Sequence, residues 1–194
     1  PAPGQPLPAG VRRGTGARRV SGTDPQEARL DLGRSSRLGM VEAIWGEHKS
    51  AEQLAPILQN LQSRGELALA TRVDAAKADA VRRLLEPIDG LQHHAIARCL
   101  TLGKPAPARP ELGEVLILSG GTSDRPVAEE ARLALHWHGI ASDLVLDVGV
   151  AGLQRLLDHL ERLQSARVLI ACAGMEGALP TVLGGLVPQP VIGV

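Results

Sequence analysis

Short apolar runs alternate with amphipathic segments in the second half of the chain, and this alternation restricts the fold more than any other feature. The runs at 115–118, 144–146, 168–172 and 191–194 are rich in Val, Leu and Ile, as buried strands are. Between them, apolar residues recur at helical spacing over 126–138, 152–163 and 178–186. This order predicts an α/β fold, a parallel sheet with helices on both faces.

Three of the predicted strands end in glycine-containing loops that also carry a carboxylate. The loops cover 119–124, 147–152 and 174–177. Ligands of parallel sheets bind beyond the carboxyl ends of the strands, so we expect the three loops to converge on one site. Backbone N–H groups at a strand–turn–helix junction favour a phosphate. Asp124, Asp147 and Glu176 suit ribose hydroxyls, a metal ion or proton transfer. The predicted substrate-binding residues are Ser119, Gly120, Gly121, Thr122, Ser123, Asp124, Asp147, Gly149, Gly152, Gly174, Met175 and Gly177.

Each loop also has a purely structural interpretation. The hexapeptide 119–124 is compatible with a tight strand-to-helix turn that binds nothing. Asp147 suits a turn, and Glu176 suits the start of a helix, where a carboxylate complements the helix dipole. These alternatives stay open from the residues alone.

The first half of the chain has a different organisation. Residues 1–24 lack a hydrophobic period and are expected to form a flexible basic arm. Residues 25–102 predict a small N-terminal α/β module, with helices beginning after Ser50 and Asp74 and a single strand within 91–100. His93 and His94 are adjacent, so they face opposite ways in a strand and predict no metal site. A proline-rich linker over 103–113 separates this module from a nucleotide-binding domain over 114–194.

Composition excludes several classes of function. The 194 residues carry 21 basic and 21 acidic side chains, so no net field favours nucleic acid or an anionic membrane. The chain has no Phe or Tyr and two Trp, which argues against base stacking on aromatic side chains. No apolar run reaches the length of a membrane span, and we expect a cytoplasmic location. Cys99 and Cys172 lack metal-ligand spacing.

Several separate motifs resemble one family. They are Ser119–Ala131 (SGGTSDRPVAEEA), Asp147–Leu153 (DVGVAGL), Ala173–Pro180 (AGMEGALP), and the N-terminal pieces around Asp31–Gly39, Gly46–Lys49 and Thr71–Arg72. Over about residues 25–194 the chain resembles the LarB-type, purE-like (AIR carboxylase domain) enzymes of nickel-pincer nucleotide cofactor biosynthesis. The resemblance implies a flavodoxin-like, three-layer carboxylase domain.

The resemblance also implies an activity. Family members carboxylate the pyridinium ring of nicotinic acid adenine dinucleotide and hydrolyse its phosphoanhydride, releasing AMP and a pyridinium-3,5-biscarboxylic acid mononucleotide. Carbon dioxide or bicarbonate is the co-substrate, no cofactor is tightly bound, and a role for Mg²⁺ at the phosphates stays open. The implied partners are this nucleotide and further copies of the chain in a homo-oligomer. By the same resemblance Ser119–Asp124 hold phosphate and ribose, and Glu176 is the catalytic carboxylate nearest the reacting ring.

The family's nucleophile is a cysteine near its C-terminus, and neither Cys99 nor Cys172 matches that motif. We therefore expect this cysteine beyond Val194, a carboxylase domain truncated at its C-terminus, and no turnover by the 194-residue form.

Two other functions stay open. Carboxyaminoimidazole ribonucleotide mutases of purine biosynthesis share the fold and the phosphate loop, but carry Ser-Ala-His-Arg where this chain has Asp147-Val-Gly-Val-Ala151. The other alternative is a nucleotide-binding or assembly module without catalysis.

Overall fold

The computed structural model describes residues 30–85 and 88–194, which form two four-stranded sheets with flanking helices. The basic arm predicted over 1–24 lies outside the described residues. No helix in the described part of the chain is long and apolar enough to cross a membrane.

The N-terminal sheet is mixed. Its strands are β1 (Ala43–Trp45), β2 (Ala68–Thr71), β3 (Leu91–His94) and β4 (Cys99–Leu102), in the order β1-β2-β4-β3. β1 and β2 are parallel, whereas β4 is antiparallel to both of its neighbours. The helices of this unit are α1 (Arg34–Leu38), α2 (Ala51–Ser63) and α3 (Ala75–Leu84).

The single strand predicted within 91–100 is wrong, because the segment is a hairpin formed by β3 and β4. Arg98 adopts a left-handed backbone with φ 51° at the turn, and Gln92 then pairs with Thr101. Neither Gly nor Pro marks this turn, so the sequence carries no ordinary signal for it.

The helices of the N-terminal unit begin where the sequence predicts. Ser50 forms a capping box with Gln53 at the start of α2, and the predicted inward face of α2 is buried in the core. The Asp74 carboxylate accepts a hydrogen bond of 2.8 Å from the Lys77 N–H at the start of α3.

Replacing the helix cap Asp74 with alanine is expected to lower the free energy of unfolding by about 1 kcal/mol, because an N–H group of the first turn loses its acceptor. Urea denaturation measures this change. Asp79→Ala is the matched control: Asp79 lies within α3, and in the described part of the chain its one ion pair is with exposed Arg82, so we expect a loss below about 0.5 kcal/mol. Equal losses for the two variants would contradict the capping role.

The C-terminal sheet is parallel throughout. Its strands are β5 (Glu114–Ser119), β6 (Ala141–Val145), β7 (Val168–Cys172) and β8 (Val191–Gly193), in the order β6-β5-β7-β8. Its helices are α4 (Arg125–Trp137), α5 (Leu153–Leu157), α6 (Leu160–Ser165) and α7 (Ala178–Leu186). Short 3₁₀ turns cover Pro110–Leu112, Thr122–Asp124 and Val150–Gly152.

Helices cover both faces of this sheet, which confirms the predicted fold class. Ile117 and Cys172 pack with Ala128 of α4 on one face. Leu116 packs with Leu156 of α5, and α6 and α7 complete the same cluster on the other face.

Two boundaries in this unit differ from the prediction. The helix predicted over 152–163 is interrupted at Asp158 and His159, and its two short pieces each bury one leucine, Leu156 and Leu163. Strand β6 begins three residues before its apolar run because polar Ser142 and Asp143 also pair with β5. Since β6 lies at the edge of the sheet, polar side chains are tolerated there.

Helix α4 lies between the two units. Its residues Leu133 and Trp137 pack against Leu69 and Cys99 of the N-terminal sheet. Arg72 lies 3.4 Å from the Glu130 carboxylate on the same helix. One side of α4 therefore covers the parallel sheet and another contacts the N-terminal unit.

Candidate functional site

The loops after β5, β6 and β7 meet in one crevice at the carboxyl edge of the parallel sheet. The chain leaves β5 through α4 on one face and reaches β7 through α5 and α6 on the other, so the strand order switches direction beside β5. Ligands of such sheets bind at this switch point. The crevice has a volume of about 380 Å³.

Asp124 holds two of these loops together. One carboxylate oxygen accepts a hydrogen bond of 2.9 Å from the Gly121 N–H, and the other accepts one of 3.1 Å from the Gly174 N–H, 50 residues further along the chain. The sequence predicts that Asp124 binds substrate, and in the structure both of its carboxylate oxygens also accept hydrogen bonds from the protein backbone. The structure gives Asp124 a loop-bridging role that the sequence did not reveal.

Ser119 and Asp147 fix the position of the second loop from outside the crevice lining. The Ser119 hydroxyl is buried and accepts a hydrogen bond of 3.1 Å from the Asp147 N–H. Asp147 has a left-handed backbone, φ 59°, and its carboxylate lies 2.6 Å from the Arg155 guanidinium rather than in the crevice. Neither side chain lines the crevice, so both act through the position of the loop.

Gly149 allows the first and second loops to approach each other. A Cβ atom at this position would lie 2.4 Å from the Gly120 carbonyl oxygen, well inside van der Waals contact. Because the obstructing atom belongs to the backbone, only a shift of a whole loop would make room. Glycine at 149 is therefore required by the close contact of the two loops.

The third loop presents its side chains to the open side of the crevice. Met175 is 97% exposed and Glu176 is also exposed. Within the described part of the chain, the Glu176 carboxylate has no hydrogen bond or ion pair. Gly177, with φ 65°, then turns the chain into α7. Glu176 is consequently the one carboxylate of the crevice lining that is unpaired among these residues.

The structure brings together most of the predicted site. The predicted residues that line the crevice are Gly120, Gly121, Ser123, Asp124, Gly149, Gly174, Met175 and Glu176. The predicted residues outside the lining are Ser119, Thr122, Asp147, Gly152 and Gly177. Lining residues that the sequence reasoning missed are Val150, Ala151, Ala173 and Leu179. They are apolar members or neighbours of the same loops, and only their position beside the glycines pointed to them.

The crevice lining is acidic rather than basic. It contains two carboxylates, Asp124 and Glu176, and no Lys or Arg among the described residues. The cations Arg125 and Arg155 are close in sequence, but they pair with Glu129 and Asp147. Within the described chain, a phosphate here would depend on the first N–H groups of the Thr122–Asp124 turn and of α7, which lack intrahelical acceptors. Among residues 30–85 and 88–194, no three His, Cys, Asp or Glu side chains cluster as metal ligands would.

Neither cysteine is suited to act as a nucleophile. Both thiols are buried. Burial, with the nearby Asp124 carboxylate, raises the pKa of Cys172 to about 11. Burial, with Glu130, raises the pKa of Cys99 to about 12. Since the thiolate is the reactive form, both groups are inert near neutral pH.

We therefore expect the two thiols to react with a disulfide reagent at pH 8 on the order of 100-fold more slowly in the folded protein than in urea, from suppressed ionisation alone. Absorbance of the released thiol measures both rates. One thiol reacting in the folded protein at the rate found in urea would contradict the burial and the raised pKa.

Comparisons with known proteins cover both units. Residues 23–104 match the LarB/PurE-like N-terminal domain, and residues 114–194 match the AIR carboxylase domain. An uncharacterized protein of Methanocaldococcus jannaschii is 34% identical over 173 residues, which cover 87% of this chain and 68% of the relative. The two domain matches in this order, together with that similarity, show that the chain belongs to the LarB-type, PurE-like family.

Proposed function

We propose that the protein is a carboxylase and hydrolase of nicotinic acid adenine dinucleotide. It adds carbon dioxide to the pyridinium ring and cleaves the phosphoanhydride with water, giving pyridinium-3,5-biscarboxylic acid mononucleotide and AMP. This product belongs to nickel-pincer nucleotide cofactor biosynthesis. The carboxylase-type family of the chain supports the reaction class.

The observation that carries the proposal is the crevice at the switch point, with the unpaired Glu176 carboxylate at its open side. The Thr122–Asp124 turn and the N-terminus of α7 offer N–H groups to the phosphates. Glu176 is then the group placed to accept a proton.

Proton acceptance is a required step of this carboxylation. A pyridinium ring is electron-poor, so a nucleophile must first add to it and create an enamine-like carbon that attacks carbon dioxide. The attacked carbon then carries both a hydrogen and the new carboxylate. Loss of that proton and departure of the nucleophile restore the aromatic ring, and we assign the proton to Glu176. Cys99 and Cys172 do not supply the nucleophile, because both thiols are buried with raised pKa values.

Two further features belong to the proposal. The acidic crevice lining requires cations from outside it, which is consistent with a homo-oligomer or with Mg²⁺ at the phosphates. The second candidate is the carboxyaminoimidazole ribonucleotide mutase reaction, favoured by the match of residues 114–194 to the AIR carboxylase domain.

Mass spectrometry of the products distinguishes these candidates. The complete gene product is incubated with nicotinic acid adenine dinucleotide and ¹³C-bicarbonate, or with aminoimidazole ribonucleotide and the same label. The proposal predicts AMP and a labelled biscarboxylated mononucleotide from the first substrate. Carboxylation of the imidazole substrate alone would show that the protein catalyses the purine reaction. Inactivity on both substrates would indicate a non-catalytic binding module.

Glu176→Gln is expected to lower kcat by about 10²-fold or more while leaving the thermal unfolding midpoint unchanged, because the carboxylate has no partner in the described chain. Steady-state kinetics of the complete gene product with the pyridine dinucleotide measure the effect. Glu161→Gln is the matched control, since Glu161 is an exposed glutamate in α6, outside the crevice. Full turnover by Glu176→Gln would show that Glu176 is not the proton acceptor.

A further inference from the structure

A second cavity lies between the two units, away from the crevice. It has a volume of about 650 Å³, and its walls come from the β3–β4 hairpin, the segment after β4, and the C-terminal half of α4. The crevice adjoins the other end of α4, where Arg125 follows the Thr122–Asp124 turn. At 1.5 Å per residue, Arg132 and Trp137 lie roughly 10–18 Å from that end along the helix axis. The two sites are therefore separate.

The walls of this cavity, here called the inter-unit cavity, are predominantly basic. Two basic side chains line it, Lys104 from the segment after β4 and Arg132 from α4. One carboxylate, Asp89, also lines the cavity. The imidazole rings of His94 and His136 also line the cavity.

The two cations differ in their pairing. Lys104 has no hydrogen bond or ion pair within the described part of the chain. Arg132 lies 2.8 Å from the Glu129 carboxylate, which does not line the cavity and also pairs with Arg125. Lys104 and Arg132 are both exposed, so the ammonium group and the guanidinium group can contact a ligand.

The end of α4 would ordinarily repel an anion, because the last carbonyl groups of a helix carry partial negative charge. Three of the last four carbonyl groups of α4 have hydrogen-bond partners within the chain. The Ala134 carbonyl lies 2.7 Å from the His138 Nδ1, and the Leu135 and His136 carbonyls accept from the Ile140 and Gly139 N–H groups. Among the charged side chains of the lining, the two basic residues outnumber the one carboxylate, Asp89.

A buried tryptophan forms part of the same wall. Trp137 is 6% exposed, and the rings of His94 and His136 meet it edge-on at centroid distances of 6.1 and 5.5 Å. The Trp137 indole N–H is buried and has no acceptor in the described part of the chain. The region therefore has an excess of donors and cations over acceptors.

We propose that the inter-unit cavity binds a small molecule carrying a phosphate group, held between Lys104 and Arg132 and bridging the two units. A phosphate offers several acceptor oxygens and a double negative charge to this surplus of donors. The ligand is either free phosphate or the phosphate of a nucleoside monophosphate. This site is independent of the reaction assigned to the crevice.

Binding is expected to tighten on acidification. Burial, with the neighbouring charges of His93, Arg132 and His136, lowers the pKa of His94, whose Nε2 lies 2.9 Å from the Thr101 hydroxyl. An anion beside Lys104 would offset those charges and favour protonated His94. Sulfate is the probe for this test because it remains a dianion over pH 6–8, whereas phosphate itself titrates there. Sulfate is expected to bind more tightly at pH 6 than at pH 8.

The chain offers a specific reporter for this cavity. Trp45, 59% exposed on β1, is the other tryptophan, so Trp45→Phe leaves Trp137 as the sole indole fluorophore. Inorganic phosphate, AMP and sulfate are titrated into this variant by calorimetry and by fluorescence. We expect saturable binding that changes the Trp137 emission. AMP binding about tenfold more tightly than phosphate identifies a nucleoside monophosphate, and equal affinities identify the phosphate group alone.

Matched variants locate the binding. In the Trp45→Phe background, Lys104→Gln and Arg132→Gln are each expected to weaken binding about tenfold or more, while Arg83→Gln, an exposed arginine of α3, leaves it unchanged. Circular dichroism confirms that each variant is folded. No saturable heat, or binding that persists in both cavity variants without a change in Trp137 emission, would overturn the proposal.

Discussion

Replacing Gly149 with alanine is expected to disrupt the crevice more than any other single methyl addition to its loops. The new Cβ would meet the Gly120 carbonyl oxygen at 2.4 Å, and the loops after β5 and β6 would have to separate. We expect a loss of about 1–3 kcal/mol in the free energy of unfolding. Binding of nicotinic acid adenine dinucleotide should weaken about tenfold or more, because the phosphate-facing turn moves with its loop.

Urea denaturation and calorimetric titration measure these two effects. Gly184→Ala is the matched control, since Gly184 lies within α7 and a Cβ there would have no neighbour within 4 Å. We expect it to stabilise the protein by about 0.5–1 kcal/mol, as alanine does in a helix. Stability and binding in Gly149→Ala equal to those of the unmodified protein would show that the loop contact is not required.

Asp124→Asn is expected to destabilise the protein by an amount comparable to that of Gly149→Ala. The carboxylate accepts from the Gly121 and Gly174 N–H groups, one with each oxygen. An asparagine supplies one acceptor and places an NH₂ group against the other N–H, so one bond is lost and a repulsive contact is created. We expect a loss of about 1.5–3 kcal/mol in the free energy of unfolding and faster amide exchange in the loop 173–177.

Asp158→Asn provides the comparison for this change. Asp158 is an acceptor for the exposed Gln154 side chain, and we expect its replacement to change the free energy of unfolding by less than about 0.5 kcal/mol. If Asp124→Asn were equally mild and left the exchange rates of residues 173–177 unchanged, the bridging role of Asp124 would be wrong.

Local chemistry explains why much of the fold was predictable. Ser50 and Asp74 cap their helices through contacts within three residues, which the sequence shows directly. Strand β7 and helix α7 have the predicted bounds, 168–172 and 178–186, because each is a continuous pattern between clear turn signals. The convergence of the loops follows from the parallel order of the strands.

The remaining features depend on contacts between distant residues. The pairing of Asp124 with Gly174 joins residues 50 positions apart, and no local pattern indicates it. Asp147 pairs with Arg155 and has a left-handed backbone, a conformation that residues other than glycine uncommonly adopt. The turn at Arg98 has neither glycine nor proline, so the β3–β4 hairpin was mistaken for one strand.

The inter-unit cavity illustrates the same limit. Lys104 and Arg132 are 28 positions apart in the sequence, and only the packing of α4 against the N-terminal sheet brings both into the lining of one cavity. A site formed between the two units could therefore be identified only from the structure.

Hydrogen–deuterium exchange with and without nicotinic acid adenine dinucleotide tests whether the three loops form one substrate site. We expect slower exchange in 119–124, 147–152 and 174–177 together when the dinucleotide is present, and little change in α2, which lines neither the crevice nor the inter-unit cavity. Protection confined to one loop, or absent from all three while the dinucleotide binds elsewhere, would contradict it.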